Sequence, residues 1–317
     1  GKIQTGQTVR IFTGASVPQG ANTIIIQENT DKIGKNIIIK EAAPKGKYIR
    51  PAGMDFKIGQ KLLKAGTRLN ARNIALAAAM NIPWVKVTRK PRIAILSTGN
   101  ELVLPGESVG QDKIISSNSL GLAAMISANG GTPINLGIAK DNPGSLKDAV
   151  SRLSGADMLI TIGGASVGDY DLIKSVLGKE GLDITFSRVA MRPGKPLIFG
   201  NIFGTPMLGL PGNPVSASVT ATLFLLPAIS KMLGTQDSSH NTETAVLGRG
   251  LKKNDTRQDY LRAKIAINKA GHIIVTPFPQ QDSSMLANHA EADCLIIRQP
   301  FAHALTRGAS VSIIRLD

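Results

Sequence analysis

Between residues 92 and 232 short runs of Ile, Leu, Val and Ala alternate with runs patterned as helices. This alternation constrains the fold more than any other feature, because strands separated by helices build a mostly parallel sheet covered by helices on both faces. Strands are predicted over 92–96, 134–138, 158–162, 184–189, 197–199 and 207–210. Helices are predicted over 120–128, closed by Asn129-Gly-Gly, over 143–153, over 172–177, and over about 214–232. Leu146, Val150 and Leu153 share one helical face, Pro143 suits a first turn, and Asn213 suits the N-cap of the long helix. Ligands of such sheets sit beyond the carboxyl ends of the strands.

Two of those ends have one plan. Arg92-Ile-Ala-Ile-Leu-Ser-Thr-Gly-Asn-Glu101 and Thr161-Ile-Gly-Gly-Ala-Ser-Val-Gly-Asp-Tyr-Asp171 each run from a strand into glycine, a hydroxyl and a carboxylate. Glycine lets backbone N–H groups approach an anion closely. Glu101 and Asp171 offer oxygens to a hard cation such as Mg²⁺, which often bridges to substrate phosphate. Met191-Arg-Pro-Gly-Lys-Pro196 puts Arg192 and Lys195 on a stiff turn, where they can clamp an oxyanion. Leu210-Pro-Gly-Asn-Pro-Val-Ser216 opens the long helix, whose N-terminus favours anions. Each motif alone is an ordinary turn. Four of them at successive ends of one sheet predict a shared site for an anionic ligand and a cation.

The flanks differ in pattern. Residues 1–42 hold β-rich stretches at 23–27 and 36–40 and read as the remainder of a β-rich domain. Residues 43–90 are a linking or dimerisation segment with a helix near 71–80. Residues 91–236 are the α/β domain. Residues 237–317 switch to short strands at 244–247, 261–267, 273–276, 294–297 and 311–314, a small all-β barrel or sandwich.

Composition excludes several classes. The chain has 317 residues and a formal charge of +15, from 37 Lys and Arg against 22 Asp and Glu. Aromatic residues make up only 4% and the basic residues are scattered, so stacking platforms and dense basic blocks for nucleic acid are missing. A small anionic substrate accounts for positive potential equally well. The apolar stretch 219–233 contains Thr, Pro, Ser and Lys and is too short to span a bilayer. The single cysteine, Cys294, excludes an intrachain disulfide framework and fits a reducing, cytoplasmic compartment. The four histidines, His240, His272, His289 and His303, lack metal-site spacing. No Walker loop or serine elbow occurs.

Together the motifs resemble the molybdopterin molybdenumtransferase family, the bacterial MoeA enzymes and the E domain of gephyrin. The resemblance is carried by Ser97-Thr-Gly-Asn-Glu-Leu102, Gly163-Gly-Ala-Ser-Val-Gly168, Arg192-Pro-Gly-Lys-Pro196 and Leu210-Pro-Gly-Asn-Pro-Val-Ser-Ala217. Arg10-Ile-Phe-Thr-Gly-Ala15 and Arg50-Pro-Ala-Gly-Met-Asp55 add to it, all in family order. It implies a multi-domain homodimer with a molybdopterin-binding-like α/β domain, and a reaction that inserts molybdate into adenylylated molybdopterin with Mg²⁺ and releases AMP.

The residue roles it implies follow the motifs. Glu101 and Asp171 would be the acidic pair near the metal, and Thr13 and Asp55 polar residues brought to the cleft by other domains. Ser97, Thr98, Gly99, Gly163, Gly164, Ser166, Gly168, Arg192 and Lys195 would line the substrate site, with Gly212, Asn213 and Ser216. Pro211, Pro214, Arg262 and Ser283 would surround molybdate. Asn100 stands where the family usually has Asp. The family's Asp-Gly-Tyr-Ala stretch is not found, which implies a first domain whose start lies outside these residues. Two other activities share the α/β module: ATP-dependent molybdopterin adenylyltransfer, whose enzyme would also be a contact partner, and a gephyrin-like scaffold.

Overall fold

Strands β3 (Arg92–Thr98) and β7 (Met158–Ile162) are buried on both faces at every position except Arg92, as inner strands of a covered sheet must be. In the computed structural model, which describes residues 1–163, 176–179, 181–235 and 241–316, they belong to a six-stranded sheet. The other members are β6 (Thr132–Ala139), β8 (Leu182–Phe186), β10 (Ile198–Ile202) and β11 (Thr205–Leu210), in the order β6-β3-β7-β11-β10-β8. The pairs β6/β3, β3/β7 and β7/β11 are parallel. Only β10 runs against its neighbours. Its turn explains this: Ile202 pairs with Thr205 across Phe203 and Gly204, both at positive φ (51° and 82°). Two left-handed residues make the tight hairpin that joins antiparallel strands only.

Alternate side chains of β3 enter separate cores. Ala94 and Leu96 pack with Leu146, Ala149 and Val150 of the helix α3 (Pro143–Ser151). Ile93 and Ile95 face Leu122 and Ile126 of α2 (Asn118–Ala128), together with Ala217, Leu225 and Ile229 of α4 (Pro214–Leu233). The Asn142 side chain accepts from the Ser145 N–H and so caps α3. The long helix α4 is continuous but widens to a π turn over Ala221–Leu225. Pro227 has no N–H to offer the turn before it and its ring crowds that turn, which the wider winding relieves. Gly234, at φ 70°, ends the helix. By length and composition α4 could cross a membrane, yet its buried positions fill the second core. Asn213 occupies the N-cap position as predicted, but its side chain makes no capping bond. Of the helix predicted over 172–177, residues 172–175 lie outside the described residues, and 176–179 are helical.

The last five strands are β12 (Thr242–Leu247), β13 (Gln258–Ile267), β14 (Ile273–Pro277), β15 (Cys294–Arg298) and β16 (Ser310–Arg315). Because β14 pairs with both β12 and β13, they close into a five-stranded barrel. Ala245, Leu247, Val275, Cys294 and Ile296 fill it. Cys294 is fully buried and its thiol is pushed up to about 12, chiefly by burial, so it packs rather than reacts. One short strand, β9 (Met191–Arg192), leaves the α/β layer and adds to the barrel parallel to Gln258 and Asp259. A single turn of helix, α5 (Leu286–Ala290), lies between β14 and β15.

Backbone contacts divide the chain into two compact units, Gly1–Lys64 and Ala65–Asp317. In the first unit β1 (Thr30–Ile33) and β2 (Asn36–Ile39) form a hairpin around Gly34, at φ 58°. The strand predicted over 23–27 does not form. A two-residue turn pairs Ile33 directly with Asn36, so the partner of β2 is the segment just before the turn. In the second unit α1 (Ala71–Ala79) starts from a reciprocal bond between Asn70 and Asn73. Two irregular loop strands, β4 (Leu102–Val103) and β5 (Ile114–Ile115), pair after β3.

Candidate active site

Four strand ends and one face of the barrel enclose a cleft of about 570 Å³. The end of β3 supplies the first wall. Ser97 and Thr98 are buried, and the Thr98 hydroxyl donates to the Ile162 carbonyl at 3.4 Å. Gly99 follows at φ 148°, and the Glu101 carboxylate folds back over it. A Cβ at Gly99 would come within 2.6 Å of a Glu101 oxygen, so the glycine makes room for the acid. The Glu101 backbone is anchored where its carbonyl accepts from the Ile114 N–H at 2.9 Å, and Lys113 donates to the Asn100 carbonyl at 2.6 Å.

The second wall was not expected. Asp141, just past β6, lines the cleft with Glu101. The Asn100 N–H donates to Asp141 Oδ2 at 3.1 Å, and the Asp141 N–H donates to Asn100 Oδ1 at 3.2 Å. This reciprocal pair locks two strand ends together and leaves the other Asp141 oxygen free of that bond. Asn100 thus positions Asp141, one of the two roles that the substitution of Asn for the family's Asp leaves open, the other being a ligand of lower charge. Asn100→Ala is expected to lower turnover roughly 10-fold, as loss of a supporting partner typically does. Steady-state kinetics beside a melting curve checks this; unchanged kinetics would leave Asp141 independent of Asn100.

At the end of β7, Gly163 has φ 86° and donates its N–H to the Leu210 carbonyl at 3.2 Å. A Cβ there would come within 2.7 Å of the Thr98 carbonyl oxygen. Gly164, Ser166, Gly168 and Asp171, all predicted at the site, lie outside the described residues. At the end of β11, Pro211 and Gly212 line the cleft, and the Gly212 carbonyl accepts from Asn118 Nδ2 at 2.7 Å. Ser216, in the first turns of α4, faces the same space, whereas Pro214 begins the helix away from it. Asn213 lines the cleft and donates to Ser283 Oγ at 2.8 Å, which ties the helix entry to the barrel. That tie replaces the capping bond.

The predicted basic residues divide sharply. Lys195 lines the cleft, and no ion pair holds it among the described residues. Arg192 lines it too, but its guanidinium is engaged by the short bond to Asp259, by Asp255 at 3.0 Å and by Asn254 at 3.3 Å. The bond to Asp259 is the main reason its basicity is raised. Arg262 is 1% exposed and does not line the cleft. It donates to the Gln281 side chain and to the carbonyls of Asp282 (2.9 Å) and Met285 (3.2 Å). It thus shapes the loop that presents Ser283, and its side chain does not line the cleft in which the resemblance would place it beside molybdate. Burial lowers its pKa. The barrel instead offers Arg257, with no motif to announce it. Asp141 did have a signal, a carboxylate between β6 and a proline-opened helix, though without the glycines that marked the other ends. Thr13 and Asp55 belong to the first unit, and both are exposed there.

Sequence and structure comparisons extend over the whole chain. A family model described as a probable molybdopterin binding domain matches residues 94–231. Models of the MoeA N-terminal region (domains I and II) and C-terminal region (domain IV) match residues 1–81 and 244–316. A molybdopterin molybdenumtransferase of Haemophilus influenzae is 33% identical over 308 residues, 96% of this chain and 76% of that protein. One from Nostoc sp. is 43% identical over 237 residues, 73% of this chain but only 54% of that protein. The structure is similar to the molybdopterin biosynthesis moea protein of Pyrococcus horikosii, with a TM-score of 0.82 and 30% identity, covering 99% of this chain and 77% of that one.

Proposed function

Because the chain belongs to the molybdopterin molybdenumtransferase family, we propose that its cleft binds adenylylated molybdopterin and exchanges the adenylyl group for molybdate, releasing AMP. The observation that carries this reading is the polarity of the cleft. Glu101 and Asp141 supply negative charge from the ends of β3 and β6, and Lys195 and Arg257 supply positive charge from the crossover and the barrel.

An adenylylated substrate contains a phosphoanhydride, so it brings phosphate oxygens that need both a cation and hydrogen-bond donors. The donor set suits Mg²⁺, which takes one or two carboxylates and completes its shell with phosphate oxygens and water. Among the described residues no group of three or more His, Cys, Asp or Glu could hold a metal ion by itself. Glu101 and Asp141 would hold it, with Asp171 as the third candidate from the sequence. Its chemistry is neutralisation of charge on the departing phosphate. Lys195 would hold a phosphate oxygen by a charge-assisted bond. A Cβ added at Gly212 would lie 3.6 Å from the Gly163 Cα, so the two glycines bring their backbones together where both line the cleft. Pro211, Asn213 and Ser283 would border the oxyanion, and Thr13 and Asp55 remain candidates from the first unit.

The direct test is AMP release from adenylylated molybdopterin with Mg²⁺, with and without molybdate. Molybdate-dependent release is the expected result. Adenylylation of molybdopterin in a parallel reaction with ATP would move the chain to the adenylyltransferase activity. Lys195→Ala is expected to raise KM for the adenylylated substrate roughly 10-fold, equivalent to about 1.4 kcal/mol. Because the contact is ionic, the difference from wild type should shrink as salt is added. An equal KM at low salt would remove Lys195 from the binding role.

The assembly is proposed to be a homodimer. Ile74, Ile82, Trp84 and Val87 expose an apolar surface on and after α1, and Trp84 alone is 88% exposed. Such a patch favours burial against a second copy. Sedimentation would report the state. Delivery of the labile adenylylated substrate by direct contact with the adenylyltransferase, in the cytoplasm, belongs to the same proposal.

A further inference from the structure

We infer that Arg257 is the second cation that grips the anionic ligand, in the place that motif order would give to Arg192. The inference rests on the reading of the cleft above and names a residue for it from the barrel. Three cations line the cleft: Arg192, Lys195 and Arg257. Arg192 is not available. It bridges Asp255, Asp259 and Asn254, and the Asp259 side chain is only 7% exposed. The other oxygen of Asp259 is buried without a hydrogen-bond partner, so withdrawal of Arg192 would strand a buried carboxylate. Arg192 also lies in β9, which is laddered to Gln258 and Asp259 of β13. Its guanidinium fastens the crossover to the barrel.

Arg257 differs in how its guanidinium is paired. Its backbone N–H donates to Asp255 Oδ1 at 2.9 Å, which fixes the turn. Its guanidinium reaches Asp255 Oδ2 through one nitrogen at 3.4 Å, on an oxygen that already accepts from Arg192 at 3.0 Å. A guanidinium has five N–H donors. Only that one long contact engages them among the described residues, so the contrast with Arg192 lies in pairing and not in exposure, which is 32% for Arg257 and 45% for Arg192. Asp255 therefore acts as a tether that holds Arg257 at the cleft with most of its donors open. The planar fork of arginine matches two oxygens of a tetrahedral oxyanion at once, which a lysine ammonium cannot do. The ligand group assigned to it is thus a tetrahedral oxyanion, either a phosphate of the adenylylated substrate or the metal oxyanion.

The test uses the full chain with Arg257→Ala, Arg257→Lys and, as the structural contrast, Arg192→Ala. KM is measured separately for adenylylated molybdopterin and for molybdate. Direct binding of AMP and of molybdate is measured by calorimetry. Arg257→Ala is expected to raise one KM roughly 10-fold, with kcat within about 2-fold and an unchanged melting temperature. The KM that rises identifies the oxyanion, and Arg257→Lys should recover part of the loss. Arg192→Ala should lower the melting temperature instead. The inference is overturned if Arg257→Ala leaves both KM values and both binding constants at wild type, or changes only the melting temperature. If the wild type releases no AMP but Arg257→Ala still weakens AMP or molybdate binding, the inference stands and the proposed reaction falls. If neither anion binds the wild type, the inference fails.

Discussion

Glu101→Gln is expected to lower turnover by roughly two to three orders of magnitude without changing the melting temperature. Glutamine keeps the shape of the side chain and removes its charge, so the substitution isolates the electrostatic contribution. Glu101 is exposed to the cleft, and its backbone is held independently by the Ile114 N–H. No core contact depends on the carboxylate. The effect should therefore fall on kcat, through loss of a ligand to the cation that neutralises phosphate, and not on folding. AMP release under saturating substrate, beside a thermal melt, measures both. A variant with wild-type turnover would exclude Glu101 from the cation site and leave Asp141 and Asp282 as the cleft carboxylates among the described residues.

Arg262→Met should act in the opposite way. Arg262 is the largest of the fully buried side chains, and its donors satisfy the Gln281 side chain and the carbonyls of Asp282 and Met285. Methionine fills similar volume but removes the guanidinium donors, so the part-buried carbonyls of Asp282 and Met285 lose that partner, while Gln281 Oε1 keeps only the backbone N–H of residue 262. The expected cost is about 3 kcal/mol of stability. For a unit of this size that corresponds to a fall in melting temperature of roughly 6–12 °C. The loop it organises also carries Ser283, whose carbonyl accepts from the Val215 N–H and whose hydroxyl accepts from Asn213. Ligand affinity should weaken as a consequence of that loop's disorder. A variant with wild-type stability and a raised KM for molybdate would instead make Arg262 a ligand contact, as the sequence comparison suggested.

These two residues illustrate what kind of information each level holds. The place of Glu101 in the cleft was legible because it is set locally: the strand, the glycine and the acid are adjacent in sequence, and one turn brings them together. The structural partners of Arg262 were not legible, because they lie 19 to 23 positions away and only the closed barrel brings them to it. Arg192 and Lys195 stand three residues apart on one motif, yet one is fastened to Asp259 and the other lines the cleft free of any described ion pair. Nothing within Arg-Pro-Gly-Lys distinguishes them. Asp255 and Asp259 make the distinction from more than sixty residues away.

By itself the sequence determined the alternating α/β layer, the run of short strands that follows it and the strand ends that line the cleft. Those follow from hydrophobic periodicity and glycine conformations, which act over a few residues. Tertiary structure alone decided that β10 runs against its neighbours and that Asp141 joins Glu101 through Asn100. It also decided that the barrel brings Arg257 to the cleft while Arg192 becomes a structural tie. The physical reason is that a charge acts according to the partner it meets across space. Burial and pairing, which set the availability of each guanidinium and carboxylate, exist only once distant segments have closed around them.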